Sequence, residues 1–534
     1  MTTRPAAPAA PAAPDQPHAR PHARRRPAAA ALAVLLGAVV ALGACSTSEP
    51  PTPPAAGTDV PPATAAPTAA LARYYGQKLD WTACGGLQCA DLTVPLDHAN
   101  PDPADDLTIK VVRVPARDQE HRLGSLLVNP GGPGASGNAY VRAGADSIGG
   151  PEVRRYYDLV GFDPRGVAGS DPIDCLGDAA LDRFLGTDST PDDAAEEQAL
   201  LTQAEAMADG CAAHAPKLVR HLSTADAARD LDVLRAALGD PQLNYLGKSY
   251  GTFLGATYAD LFPKRVGRVV LDGVLPPDIT SAELGEGQAR GFEIATTAYL
   301  QDCVTGDCPL GDSVDAARRG LDDLFTAIDR EPLPTGDPSV PQLTEAWARL
   351  GVAIALYDQG MWGFLTDAIR EARAGNGASL MQLADSYAHR RPGGGYDGNL
   401  MEAIFAVNCL DRPDSPDLSA YARYAKDFSA KAPTWGATLA WGALPCGVWP
   451  VTGGVGPHRV TAAGSNPIVV VGTTRDPATI YEWSVRLRDQ LDDAALVTFD
   501  GDGHTAYGRS NSCVDSAIDA YYVQGRVPRD GLRC

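Results

Sequence analysis

Short apolar runs that end in glycine-rich turns recur along the chain. Leu123–Val128 runs into Asn129-Pro130-Gly131-Gly132-Pro133-Gly134, and Tyr157–Phe162 into Asp163-Pro164-Arg165-Gly166. Leu243–Leu246 runs into Gly247-Lys248-Ser249-Tyr250-Gly251, and Val266–Leu271 into Asp272-Gly273. Ile468–Val471 precedes Gly472-Thr473-Thr474-Arg475-Asp476, and Leu496–Phe499 precedes Asp500-Gly501-Asp502-Gly503-His504. Consecutive apolar positions over such lengths predict parallel strands buried on both faces. Helical spacing lies between them: over Thr224–Leu238 it puts Ala227, Ala228, Leu231, Leu234 and Leu238 on one face, with Thr224 as the candidate cap. Alternating strand and helix predict an open, mostly parallel α/β sheet whose ligands sit beyond the strands' C-terminal ends. Ala90–Leu96 and Leu107–Val114 read as leading edge strands. From about Leu275 to Pro450 the strand rhythm stops, and 313–330, 343–359, 363–374 and 400–410 look helical. The expectation is a core over 71–274 and 451–534, with a large, mostly helical cap over 275–450 inserted before the last two strands.

The first 70 residues follow other rules. Arg24, Arg25 and Arg26 precede an apolar stretch from about Ala28 to Leu42, which is short of the ~20 residues of a membrane span. A basic region, a short apolar region and small residues after it predict an export signal over 1–44. Its end, Leu42-Gly43-Ala44-Cys45, resembles the bacterial lipobox, in which the cysteine is acylated and becomes the new N-terminus. The simpler reading is an ordinary signal peptide with an incidental cysteine. Residues 45–70 are rich in Pro, Ala and Thr, too poor in large apolar groups to fold, and read as a tether. The expected location is the outer face of a bacterial membrane, held through Cys45, with release to the medium as the variant.

Ten of the eleven cysteines follow Cys45. In an exported chain an even number predicts disulfides. Spacing suggests neighbours in sequence: 84 with 89, 175 with 211, 303 with 308, 409 with 446 and 513 with 534. No CxxC pair or nearby histidine supports a metal site, and no cofactor is expected. A formal charge of −21 excludes a nucleic-acid partner, whose phosphates need a basic surface.

The chemistry centres on Gly247-Lys248-Ser249-Tyr250-Gly251, a Gly-x-Ser-x-Gly pattern between a strand and the helical run Thr252–Leu261. That context fits a nucleophile elbow, where a serine Oγ stands exposed on a sharp turn at a helix N-terminus. Serine needs a base. Of His98, His121, His214, His221, His389, His458 and His504, only His504 follows the last strand on a flexible turn. His98, His121 and His214 read as surface residues, His221 as partly packed, and His458 as the rival base. A carboxylate must fix the base's tautomer. Asp476, after the preceding strand, is favoured over Asp502, which is too near His504 in sequence to reach the far ring nitrogen. The oxyanion hole is expected from the backbone N–H of Tyr250 and that of either Gly131 or Gly132. Asp163-Pro164-Arg165-Gly166 reads as a buttressing turn.

Together, Asn-Pro-Gly-Gly-Pro-Gly at 129–134, Gly-Phe-Asp-Pro-Arg-Gly at 161–166, Gly-Lys-Ser-Tyr-Gly-Thr at 247–252 and Thr-Arg-Asp-Pro-Ala-Thr at 474–479 resemble the secreted tripeptidyl aminopeptidases. These are α/β-hydrolases of the prolyl-aminopeptidase-related group with a TAP-like C-terminal region. The resemblance runs from about Leu71 to Cys534. It implies the α/β-hydrolase fold, a triad of Ser249, Asp476 and His504, and hydrolysis of peptides from a free N-terminus. Arg475 departs from the smaller or apolar residue expected before the acid. An exopeptidase also needs a carboxylate for the substrate's α-ammonium group. Glu293, Glu402 and Asp411 are candidates, but each reads more simply as a solvated surface residue, and none is assigned. Two other classes remain: a general carboxylesterase with the same triad, and a lipid-anchored binding protein without chemistry.

Overall fold

The computed structural model describes residues 65–451, 453 and 455–534. The expected export signal, Cys45 and nearly all of the expected tether lie outside the described residues. The chain joins the fold slightly before the expected Leu71. Arg265 Nη2 donates to the Ala65 carbonyl, and a 3₁₀ turn spans Ala69–Leu71.

Among the described residues twelve strands form: β1 (Thr82–Cys84), β2 (Leu87–Val94), β3 (Leu107–Val114), β4 (Gly124–Asn129), β5 (Tyr157–Phe162), β6 (Leu243–Lys248), β7 (Val266–Asp272), β8 (Leu333–Pro334), β9 (Gln342–Leu343), β10 (Ile468–Arg475), β11 (Ala494–Asp502) and β12 (Leu532–Arg533). Ten make one sheet in the order β1-β2-β3-β5-β4-β6-β7-β10-β11-β12, and β8 with β9 form a separate small hairpin. From β5 to β12 every pairing is parallel, while β1, β2 and β3 lead in antiparallel. Every residue of β4, β5 and β7 is buried, as expected of strands covered on both faces. β5 and β3 keep the expected bounds, and β2 starts three residues earlier than expected. β1 and β12 are too short to leave an apolar run in the sequence.

One correction concerns a helix cap. The helix Thr224–Ala237 is capped by Ser223, whose hydroxyl accepts from Asp226 N, and Thr224 is its first helical residue. The Thr224 side chain is used elsewhere, as described below.

Between β7 and β10 the chain is mostly helical, and the four expected helices appear as Val314–Arg330, Glu345–Ala355, Trp362–Arg373 and Leu400–Asp411. The longest helix there, Ser281–Cys303, was hidden by its glycines, which are poor helix formers. A capping box of Thr280 and Glu283 starts it. Glycine is needed on its inner face, because a Cβ at Gly291 would lie 2.4 Å from the Pro477 carbonyl oxygen. The helix thus runs directly over the loop that carries Asp476. The roof is also wider than the 275–450 insertion. Asp178–Gly186 and Ala194–His214, from the β5–β6 connection, pack into it, with Phe184 against Phe405 at 5.1 Å between ring centroids.

Among the described residues five disulfides form, each between cysteines adjacent in sequence, as the spacing suggested. Cys175–Cys211 lies within the β5–β6 connection and Cys409–Cys446 within the insertion, so each part of the roof carries its own cross-link. Among the described residues no helix is long and apolar enough to cross a membrane.

Leu127 on β4 is 1% exposed, and Leu261 at a helix end is 39% exposed. Leu127→Ala should cost about 2–5 kcal/mol through lost burial and the cavity left behind. Leu261→Ala should stay within about 0.5 kcal/mol. Urea unfolding of both variants checks the difference.

Candidate active site

β6 delivers Ser249 into a backbone conformation with φ 55° and ψ −126°, which L-residues rarely adopt. Two residues to either side of Ser249 a side chain cannot fit this turn. A Cβ at Gly247 would stand 2.2 Å from the Gly251 carbonyl oxygen, and one at Gly251 would stand 2.6 Å from that of Asn129. Ser249 therefore begins the helix Tyr250–Leu261, whose N-terminal dipole favours negative charge. Its own N–H donates to the Asp272 carbonyl at 3.0 Å.

The glycine loop after β4 packs onto this elbow, and a Cβ at Gly131 would lie 2.8 Å from Ser249 Cβ. The Gly131 N–H already donates to Asn129 Oδ1 at 3.0 Å. Of the two candidate glycines this leaves Gly132 with its N–H uncommitted.

His504 follows β11. Its ring Nδ1 lies 2.9 and 3.0 Å from the two carboxylate oxygens of Asp476. Asp476 is itself fixed: it accepts from the N–H groups of Ala478, Thr479 and Thr505 and from the Thr479 hydroxyl. The His504 N–H donates to the Tyr357 carbonyl, and the Tyr357 ring meets the imidazole edge-on at 5.0 Å. Asp502 is engaged elsewhere, taking Nε and Nη2 of Arg475 at 2.7 and 3.1 Å. Arg475, out of place in the sequence pattern, thus clasps β11 and not the acid beside it. His458 binds the Gly456 carbonyl through Nδ1.

Asp272 at the end of β7 joins the elbow to the histidine loop. Its carboxylate accepts from Ala506 N and Tyr507 N, and Lys248 Nζ lies 4.0 Å away while donating to the Tyr507 carbonyl. Burial pushes the Asp272 carboxyl up from its ordinary range, against the pull of Lys248 and the two amides. Sequence reasoning passed over Asp272, and only its place at a strand's C-terminal end marked it.

Several surface readings are corrected. His98 is buried, with Nε2 at 2.8 Å from Asp230, and Arg165 grips the same carboxylate through Nε and Nη2 at 2.7 Å each. The Arg165 turn is a buttress, as read. Glu402 is buried under the N–H groups of Cys175 and Leu176, and Glu293 pairs with Arg318 and Thr434 N. Asp411 is buried too. It accepts from Thr224 N at 3.0 Å and from the Thr224 hydroxyl at 2.6 Å, and that hydroxyl accepts from Tyr250 Oη at 2.7 Å. None of the three carboxylates is unpaired. Asp411 instead reaches, through Thr224, the side chain of the residue whose N–H faces the expected oxyanion.

Two family descriptions match the chain: "TAP-like protein" over residues 432–534 and "alpha/beta hydrolase fold" over 124–319. Serine protease Hip1 of Mycobacterium tuberculosis is 37% identical over 488 residues, covering 86% of this chain and 91% of the relative. The chain belongs to the TAP-like α/β-hydrolases. Another member, Carboxylesterase B of M. tuberculosis, is 37% identical over 532 residues, 96% of this chain and 99% of the relative. The tripeptidyl aminopeptidase of Streptomyces lividans is 31% identical over 491 residues, 87% and 88% of the two chains. Among solved structures, a proline iminopeptidase-related protein of Thermus thermophilus matches with a TM-score of 0.34 and 13% identity over 84% of this chain and 99% of its own, too loose to add to the assignment. Like its relatives, this TAP-like hydrolase is a serine hydrolase.

Burial pushes Asp411 up to about 6 from 3.8, opposed by the Thr224 bonds and by Arg412 and reinforced by Asp226. The folded state therefore holds this proton more tightly than the unfolded chain. The group's contribution to stability is greatest below about pH 4 and declines as pH rises to about 6. Asp411→Asn keeps an acceptor for Thr224 N but removes the titration. The variant should show a smaller loss of stability than the parent between pH 4 and pH 7, read by urea unfolding at both values.

Proposed function

We propose that Ser249, His504 and Asp476 are the catalytic triad of an exported serine exopeptidase that releases short peptides, tripeptides foremost, or amino acids from free N-termini. The observation that carries the reading is the Asp476–His504 pair, on the loop tied through Asp272 to a serine held on a strained elbow. Asp476 accepts a hydrogen bond from the Nδ1–H of His504, which fixes the tautomer and leaves Nε2 as the base. Nε2 takes the Ser249 hydroxyl proton while Oγ adds to the substrate carbonyl carbon. The oxyanion that forms receives the N–H groups of Tyr250 and Gly132, each such donor contributing about 3 kcal/mol. His504 then gives its proton to the leaving amine as the C–N bond breaks. Water, deprotonated by the same nitrogen, cleaves the acyl-enzyme and restores Ser249.

Peptides are favoured because relatives that cover most of the chain are named a serine protease and a tripeptidyl aminopeptidase. The roof over the strand ends suits a substrate that enters by one end. Export and a lipid anchor at Cys45 are supported by the lipobox-like Leu42–Cys45 and by five disulfides, which persist in oxidising compartments. A second reading, a general carboxylesterase, is favoured by the relative named Carboxylesterase B and by the ties of Glu293 to Arg318 and of Asp411 to Thr224, which occupy two of the three candidate carboxylates.

The test compares a free tripeptidyl arylamide, its N-acetyl form and a short-chain ester on the purified enzyme. The exopeptidase reading expects N-acetylation to lower kcat/KM by roughly thirtyfold or more, the scale of losing one partner of a desolvated charge pair. Equal rates on both peptides reject N-terminal recognition, and ester turnover without amide cleavage selects the esterase. Ser249→Ala should abolish turnover of all three. Asp476→Asn should cost about 10⁴ in kcat through the wrong histidine tautomer, and a near-normal rate would reject Asp476 as the acid. Partition of the native protein into detergent tests the anchor, and recovery only from the aqueous phase rejects it.

A further inference from the structure

Within the roof, beside the candidate active site, lies a cavity of about 280 Å³, close to the lower end of the roughly 300–1,000 Å³ range of small-molecule sites. Its walls come from both parts of the roof, with Phe184 and Leu200 from the β5–β6 connection and Phe405, Leu439 and Trp441 from the insertion. Two of its residues touch the machinery directly. Tyr357 lines the cavity while its carbonyl holds the His504 N–H, and Gln288 lines it while Nε2 donates to the Ala478 carbonyl in the Asp476 loop.

The lining contains no carboxylate. Its one cation, Arg349, is engaged by Glu345 and by the Thr434 carbonyl. Two hydroxyls in the wall, Ser189 Oγ and Thr438 Oγ1, are buried without a hydrogen-bond partner. With a lining made mostly of aromatic and aliphatic side chains, the space suits an apolar body such as a large apolar side chain of a peptide.

We propose that this cavity is the subsite for one large apolar side chain, aromatic or long aliphatic, on the acyl side of the bond cleaved. The assignment to the acyl side rests on the exopeptidase reading. In cleavage from an N-terminus the released peptide is the finite part of the substrate that lies under the roof, while the remaining chain must run out to solvent. An ester places its finite acyl chain in the same way. The cavity accepts no charged side chain, because neither an acidic nor a basic group would find a counter-charge there.

Tripeptidyl arylamides in which each position in turn carries Gly, Leu, Phe, Asp or Lys test the subsite. At one position Leu and Phe should exceed Gly, Asp and Lys by about thirtyfold or more in kcat/KM, the scale of burying one such side chain. Two variants change the space in opposite directions: Ala353→Phe fills it and Leu350→Ala enlarges it. Each is read as a ratio between substrates on the same protein, so a general loss of activity cancels. Ala353→Phe should cut the apolar-to-Gly ratio at least tenfold, and Leu350→Ala should move the optimum towards Trp. The ratio of p-nitrophenyl octanoate to acetate is measured in parallel. Loss of that ester preference in Ala353→Phe, with no arylamide cleaved by any form, keeps the subsite and overturns the peptidase reading. Arylamide cleavage with no apolar preference at any position, or with ratios unchanged in both variants, overturns the subsite.

Discussion

The arrangement of the site depends on one buried carboxylate. Asp272 is 0% exposed at the C-terminal end of β7, and its two ends serve different segments. The backbone carbonyl holds Ser249 N, while the carboxylate gathers the amides of Ala506 and Tyr507 just beyond His504. Nucleophile and base thereby share one reference point in the middle of the sheet. Burying such a group is costly, and removing its partners would strand a charge. Lys248 and the two amides supply the compensation, and they lie in the two segments that must be aligned. A shift of either loop would leave the carboxylate less solvated by its surroundings, so the alignment is enforced electrostatically as well as by packing.

The roof is fastened to the core at several polar points. Asn399, at the start of the helix Leu400–Asp411, donates to the carbonyls of Gly166 and Ile173 and accepts from Ala168 N. One turn on, Glu402 takes two amides from the β5–β6 connection, and at the far end Asp411 reaches Thr224. The same helix presses on the oxyanion loop, where a Cβ at Gly134 would come within 2.8 Å of Ala403 Cβ. A helix pinned at both ends and along its face behaves as part of the wall, not as a hinged lid. Recognition is then governed by the shape of a standing enclosure.

The sequence carried the sheet and the triad candidates because both depend on local signals. Strand runs, the paired glycines around Ser249 and the placement of Asp476 and His504 after successive strands need no knowledge of distant contacts. What stayed hidden depends on pairs far apart in the chain. His98 meets Asp230 across 132 positions, and Asp411 meets Thr224 across 187, so neither looked different from a surface residue. The glycines of Ser281–Cys303 argued against a helix until the Asp476 loop beneath them was visible. The second part of the roof was missed because Asp178–Gly186 and Ala194–His214 precede β6 and resemble an ordinary crossover.

The disulfide pattern has a consequence for how the molecule is made. Every bond joins a cysteine to the next one along, so a chain oxidised from its leading end while it is threaded through a membrane would form the native set without reshuffling. That economy has a condition. Cys45 would emerge before Cys84, and as a free thiol it would capture Cys84 and displace every later pair by one. A Cys45 sulfur closed by an acyl-glycerol thioether drops out of the count and keeps the register. The proposed lipidation of Cys45 would then have a second role, protecting the order of oxidation.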